Sequence, residues 1–250
     1  MKRLLGLGAA LVALLLGGIG VWRWQAPDAY RPHLGRDGLV TNELTERHAD
    51  QPGVRRSADW QVTSGSLFAV DGAGYSGRPD DDRPDPESRI STDSAVFRMV
   101  TRRRDFTDVR IRFRLRVDQL VQTDRTPAAP YDGVHLFLRY RSSRELYAIS
   151  LQRRDNTVII KRKDPGGSSN GGTYTELASA AYPLTSNWID VEAGIRDAED
   201  HTTRIALRLD GRQLVSATDS SAARVIGSGG FGLRGDNAEF HFADITAEAI

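Results

Sequence analysis

The sequence predicts an all-β antiparallel sandwich, and three observations carry that prediction. Residues 109–117 read Val-Arg-Ile-Arg-Phe-Arg-Leu-Arg-Val. This strict alternation of apolar and charged side chains is that of a half-buried strand, whose successive side chains leave opposite faces. Similar two-residue periodicity recurs along the chain, with segments separated by Gly, Pro, Asn and Asp clusters of the kind that make turns. After the first two dozen residues, no stretch carries the 3.6-residue spacing of an amphipathic helix.

The elements follow in order. Lys2 and Arg3 precede an uncharged apolar run over residues 4–22, about the length a helix needs to cross a bilayer. Residues 1–22 are therefore expected to place the rest of the chain outside the cytoplasm. They act either as a retained membrane anchor, with Trp22 and Trp24 at the interface, or as a signal peptide cut after Gly20. Residues 23–45, broken by Pro27, Pro32, Gly35 and Gly38, read as a juxtamembrane spacer that adds at most one edge strand. Residues 46–250 read as one globular domain. Strands are expected at 60–62, 66–70, 95–100, 109–117, 134–141, 147–153, 157–163 and 173–177, then at 188–195, 204–209, 213–217, 230–234 and 239–246. Asp210-Gly211 marks a tight hairpin. Three long connections, 71–94, 122–133 and 164–172, are the expected rim of any site.

Composition removes several function classes. The chain of 250 residues has 34 basic and 33 acidic side chains, a formal net charge of +1. No global field therefore draws it to nucleic acid, whose binders are strongly basic. Cysteine is absent, which excludes disulfides, thiolate metal sites and a cysteine nucleophile. A monomer with one core is expected.

From Tyr131 to the C-terminus, the order and spacing of segments resemble the laminin-G-like and concanavalin A-like lectin/glucanase superfamily. The residues that carry this are Gly133-Val134-His135-Leu136-Phe137-Leu138-Arg139-Tyr140, Leu146 to Leu151, the Trp188 strand, Leu209-Asp210-Gly211-Arg212, and Gly230-Phe231-Gly232-Leu233-Arg234 followed by residues 240–245. The resemblance implies an antiparallel jelly-roll β-sandwich, a scaffold that hosts lectins, glycosidases, lyases and protein-binding modules. The Glu-x-Asp-x-x-Glu string of the laminarinase-type glycosidases is missing, as is the Gln-Ile-His signature of alginate lyases. Members often hold a structural calcium near the last strand, which makes Asp244 the metal ligand that the resemblance implies. No other cofactor is expected. The acidic run around Asp80, Asp81, Asp82, Asp85 and Glu87 is interleaved with arginine and proline and reads as a self-neutralised loop.

Strand parity assigns faces. It sends Val134, Leu136, Leu138 and Tyr140 inward, leaving His135, Phe137 and Arg139 outward. On the following strands Tyr147, Ile149 and Leu151 go inward and Gln152 goes outward; Lys161 and Lys163 extend the outer face in one of the two parities that the continuous apolar run over 158–160 leaves open. Were these strands neighbours of the 109–117 strand, then Arg110, Arg112, Arg114, Arg116, His135, Phe137, Arg139, Gln152 and Lys161 would form one basic face. Its guanidinium groups would suit carboxylate or sulfate and its ring a sugar face. The opposing expectation is a solvated face whose arginines pair with nearby acids. Trp188 is expected to anchor the core or an edge. Arg234-Gly235-Asp236 sits at a strand end and reads as a turn, not an adhesion tripeptide.

These features point to an extracytoplasmic module that binds acidic polysaccharide without catalysis. One alternative is a lyase for uronate-containing chains that uses His135 as base and Arg139 as carboxylate neutraliser. Another is a protein-interaction module.

Overall fold

The computed structural model describes residues 29–78, 97–124 and 126–250. The apolar run over 4–22 and the acidic run over 80–87 lie outside the described residues. In chain order the elements are β1 (Gly38–Asn42), α1 (Leu44–Arg47), β2 (Trp60–Ser64), β3 (Ser66–Val70), β4 (Ala73–Tyr75), β5 (Phe97–Thr101), β6 (Val109–Leu120) and β7 (Gly133–Ser142). They continue as β8 (Glu145–Leu151), β9 (Thr157–Ser169), β10 (Gly172–Ala181), β11 (Ile189–Asp197), β12 (Thr203–Leu209), β13 (Arg212–Asp219), β14 (Gly230–Asp236) and β15 (Ala238–Ala249).

The strands form two antiparallel sheets, an eight-stranded one in the order β1-β3-β4-β15-β6-β11-β12-β13 and a seven-stranded one in the order β10-β9-β8-β7-β14-β5-β2. Alternate side chains from both inner faces merge into one apolar core. Ile111, Phe113 and Leu115 of β6 meet it from one sheet, and Leu136, Ile149 and Ile160 from the other. Trp60 is fully buried there, edge-on to Phe231 and Phe242. The predicted alternation on β6 is observed in full, with each apolar residue buried and each arginine on the outer face.

Four local expectations are corrected. The 23–45 spacer supplies β1, the one edge strand allowed for it, which pairs with β3, but it joins the fold already at Tyr30, which bridges Ala247. A single helical turn, α1, follows directly. The 164–172 loop is shorter than expected, because β9 and β10 pair as far as Pro165 opposite Gly172 and the Gly166 N–H donates to the Gly171 carbonyl, which leaves residues 167–170 as the tip. Asn170 and Gly171 have positive φ (51° and 71°), which Asn and Gly adopt more readily than other residues.

The fourth correction has the largest consequences. Parity along β7 breaks at Arg139, whose φ of 45° belongs to a bulge, and the register with β8 and β14 shifts there. Tyr140 is thereby turned to the outer face, where it stacks on Phe137 (5.7 Å between centroids). Arg139 is turned inward, with its side chain 0% exposed. Its guanidinium donates to Asp197 Oδ1 (2.6 Å), Asp108 Oδ1 (3.1 Å) and the Val225 carbonyl (2.8 Å), tying the two sheets together. Gly229 permits the bulge, since a Cβ there would lie 2.5 Å from the Arg139 carbonyl carbon.

Candidate functional site

The expected single basic face does not exist, because β6 belongs to one sheet and β7, β8 and β9 to the other. Arg110, Arg112, Arg114 and Arg116 therefore lie on the opposite side of the sandwich from His135 and Lys161. The row is largely neutralised in place. Arg112 donates to Glu192 and Glu248 (2.8 Å each), Arg116 to Asp118 (2.7 Å), and Arg114 lies 3.9 Å from Asp244. Trp188, expected to anchor the core or an edge, is half-buried on this outer face with the guanidinium groups of Arg114 and Arg116 4.8 and 5.1 Å from its ring. Replacing Arg112 by serine is expected to change unfolding free energy by less than about 1 kcal/mol, since both its ion pairs are solvent-accessible. Urea denaturation checks this.

Other predicted residues are also relocated. Arg139 is interior, so it cannot meet a substrate beside His135, and the lyase pair is not assembled. Phe137 is 2% exposed, packed with Val100, Tyr140, Leu146 and Ala148 in a small cluster on the outer face of the smaller sheet. It offers no open ring to a sugar. Gln152 is buried, with positive φ, and accepts a hydrogen bond from the Thr185 N–H (2.8 Å). Asp244 is mostly exposed, and among the described residues no three His, Asp or Glu side chains converge to hold a metal ion with it.

Two predicted residues, His135 and Lys161, do come together. They line a cavity of about 490 Å³ on the outer face of the seven-stranded sheet, with Tyr174, Arg234, Asp236 and Asn237. The volume falls within the range of about 300–1,000 Å³ usual for small-molecule sites. The strands place these groups by register: Arg234 of β14 lies opposite His135 of β7, and Lys161 of β9 opposite Ala148 of β8. Residues 126–132 of the connection after β6 and the β9–β10 hairpin tip at Ser169 and Asn170 also line the cavity. Two of the three long connections thus reach it, one of them as a hairpin.

The cavity is held in shape by buried polar contacts. Asp132, 1% exposed, accepts from the Ala129 N–H, Arg154 Nε and Asn237 Nδ2. Asn237, with φ 47° at the β14–β15 turn, also donates to the carbonyls of Thr126 and Pro127. Its buried Oδ1 has no partner. Arg234 Nε donates to Asp236 Oδ1 (2.7 Å), so the tripeptide 234–236 is part of β14 and of the cavity wall. His135 Nδ1 lies 2.8 Å from Ser150 Oγ. Its Nε2 is 3.0 Å from Asp236 Oδ2 without an aligned hydrogen bond. Burial outweighs Asp236 and lowers the His135 pKa to about 4, so the ring is neutral at pH 7.

Lys161 is the group left over. Asp236 is taken by Arg234 and Asp132 by Arg154, whereas Lys161 has no ion-pair partner among the described residues and rests over the Tyr174 ring at 4.8 Å. Burial, helped by the Arg153 charge, lowers its pKa to about 8. The carboxylates of Asp236 and of Glu176, opposite it on β10, act on this ammonium without a direct ion pair, and a half-buried ammonium so placed at a cavity can receive a negative or strongly hydrogen-bonding group.

No family model and no curated protein matches the chain. Among solved structures, the carbohydrate-binding module CBM66 from Bacillus subtilis superposes at a TM-score of 0.50, with 16% identity, over 76% of this chain and 95% of that one. A Bacillus subtilis protein of unknown function with a galectin-like fold gives 0.51 at 13% identity, over 85% and 97%. The potassium-bound carbohydrate recognition domain of Emp46p gives 0.51 at 9%, over 89% and 97%. The fold is that of the concanavalin A-like jelly rolls. Within this jelly roll, Arg234, Asp236, Asn237, Asp132 and Tyr174 are site residues that sequence reasoning did not single out. A usable signal was present for the first two, because Arg and Asp two apart in a strand share a face.

Proposed function

We propose that this jelly roll is a noncatalytic glycan-binding module whose cavity beside Lys161 receives an acidic sugar. The observation that carries the reading is the Lys161 ammonium, without a direct ion pair among the described residues and set over the Tyr174 ring at a preformed polar cavity. Saccharide-binding structures of the same fold support the ligand class. In this reading Lys161 pairs with a uronate carboxylate, while Asn237 Oδ1 and the wall of residues 126–132 take sugar hydroxyls. The domain works as a monomer outside the cytoplasm, delivered there by residues 1–22.

Binding to an array of uronate-rich, sulfated and neutral polymers tests this. Wild-type protein is expected to prefer uronate chains, and Lys161→Met to weaken that binding by about tenfold or more. Because the ammonium must be charged, affinity is expected to hold below pH 8 and to fall as the pH rises through the Lys161 pKa of about 8. Equal affinity for neutral glycans, or an unchanged Lys161→Met variant, would exclude this cavity as an acidic-sugar site. Release of an ultraviolet-absorbing unsaturated sugar would show catalysis instead.

A further inference from the structure

We propose a second anion site on the opposite side of the sandwich, a furrow across β11, β12 and β13 that takes the sulfate or carboxylate groups of a linear anionic polysaccharide. Its floor is a row of small residues in register, with Gly194 opposite Ala206 and Ala206 opposite Ser216. Arg110 of β6 stands at its head, opposite Gly194. Side chains on the same face recur every second residue, so each flanking row stands about 7 Å from the floor along the strands, and the two walls stand about 14 Å apart. Arg196 and Arg204 form one wall, and Arg208 stands in the other. The trough between them holds about 360 Å³.

Charge along this furrow is unbalanced, unlike the neutralised row on β6. Among the described residues Glu192 is the only carboxylate side chain lining it, and it is shared among Arg112 (2.8 Å), Arg110 (3.7 Å) and Arg208 (4.0 Å). Arg204 has an exposed pair with Asp200, while Arg196 has no ion-pair partner among the described residues. Arg196 also lies directly opposite Arg204, a like-charge placement that destabilises a sheet unless an anion sits between. Exposed ion pairs of this kind contribute little to stability, so an incoming oxyanion competes with them readily. From β6 to β13 the furrow crosses three strand spacings, about 14 Å, which suits a thin extended chain. The net charge of +1 argues against duplex nucleic acid. This site does not rest on the reading of the Lys161 cavity. With both in place, one domain would hold two chain segments on opposite faces and gain avidity for long polymers.

Dextran sulfate and uncharged dextran of matched length are suitable probes, tested against wild type and again in a Lys161→Met background that silences the cavity. Dextran sulfate is expected to bind in both, dextran in neither. Arg196→Ser combined with Arg204→Ser is expected to weaken binding by about tenfold or more and to flatten its salt dependence. Gly194→Val keeps every charge and fills the trough. A Cβ there meets only Ile250 Cδ1 at 3.8 Å, so the variant is expected to fold normally by circular dichroism and to lose affinity. Undiminished binding by either folded variant would overturn the proposal, as would tighter binding of duplex DNA than of dextran sulfate.

Discussion

Replacing Arg139 by alanine is expected to cost about 3 kcal/mol of unfolding free energy, the low end of the range for breaking a buried ion pair. The low end applies because the carboxylates left behind, Asp197 and Asp108, keep 28% and 35% of their side-chain surface in water and can be rehydrated. The Val225 carbonyl and Asp197 would also lose the donor that links them across the core. Arg141→Ala, two residues along on the exposed end of the same strand, is expected to cost less than about 1 kcal/mol. Urea midpoints of the two variants check this. Equal losses would mean that Arg139 does not clasp the sheets. Asp197 adds a pH signature. Burial pushes its carboxyl up, but hydrogen bonds from Arg139, Thr203 Oγ1 and the Gly227 N–H together hold it below the usual range. Its contribution is therefore present above the unfolded pKa of about 3.9 and is lost as pH falls towards the folded value.

Acidification from pH 7 to pH 4 is expected to destabilise the wild type by about 3 kcal/mol more than a His135→Gln variant. The folded ring has its pKa lowered from 6.5 to about 4 by burial, so between those values the unfolded chain binds the proton and the folded one does not. Stability must therefore fall as the pH drops through that window and level off below about 4. Glutamine leaves no titrating group, which makes the difference between the two curves specific to this side chain. Denaturation midpoints at pH 7, 5.5 and 4.5 provide the measurement. Parallel curves would place His135 in a more hydrated setting than its 4% exposure indicates.

Much of the fold was legible because strand alternation is a local property. Val109 to Val117 had to present one apolar and one charged face wherever the strand lay, and the observed burial follows that rule residue by residue. Asp210-Gly211 was equally readable, since both residues take the positive φ that a tight hairpin needs. The site was less legible. His135 and Lys161 could be assigned to an outer face by parity, but Asp132 and Asn237 reach the cavity through a turn and a connection, for which the sequence has no period.

By itself, the sequence determined that this is an all-β jelly roll, which side chains of strands such as β6 and β8 face the core, and that no strong net charge or thiol chemistry is available. Only the tertiary structure decided which strands share a sheet, because hydrogen-bonded pairing joins residues far apart in the chain and leaves no periodic mark. That pairing put the β6 arginines and Lys161 on opposite faces and so divided one imagined basic surface in two. It also decided the fate of Arg139: a bulge against Gly229 shifted the register, and a residue that parity sent to solvent became the buried clasp between the sheets.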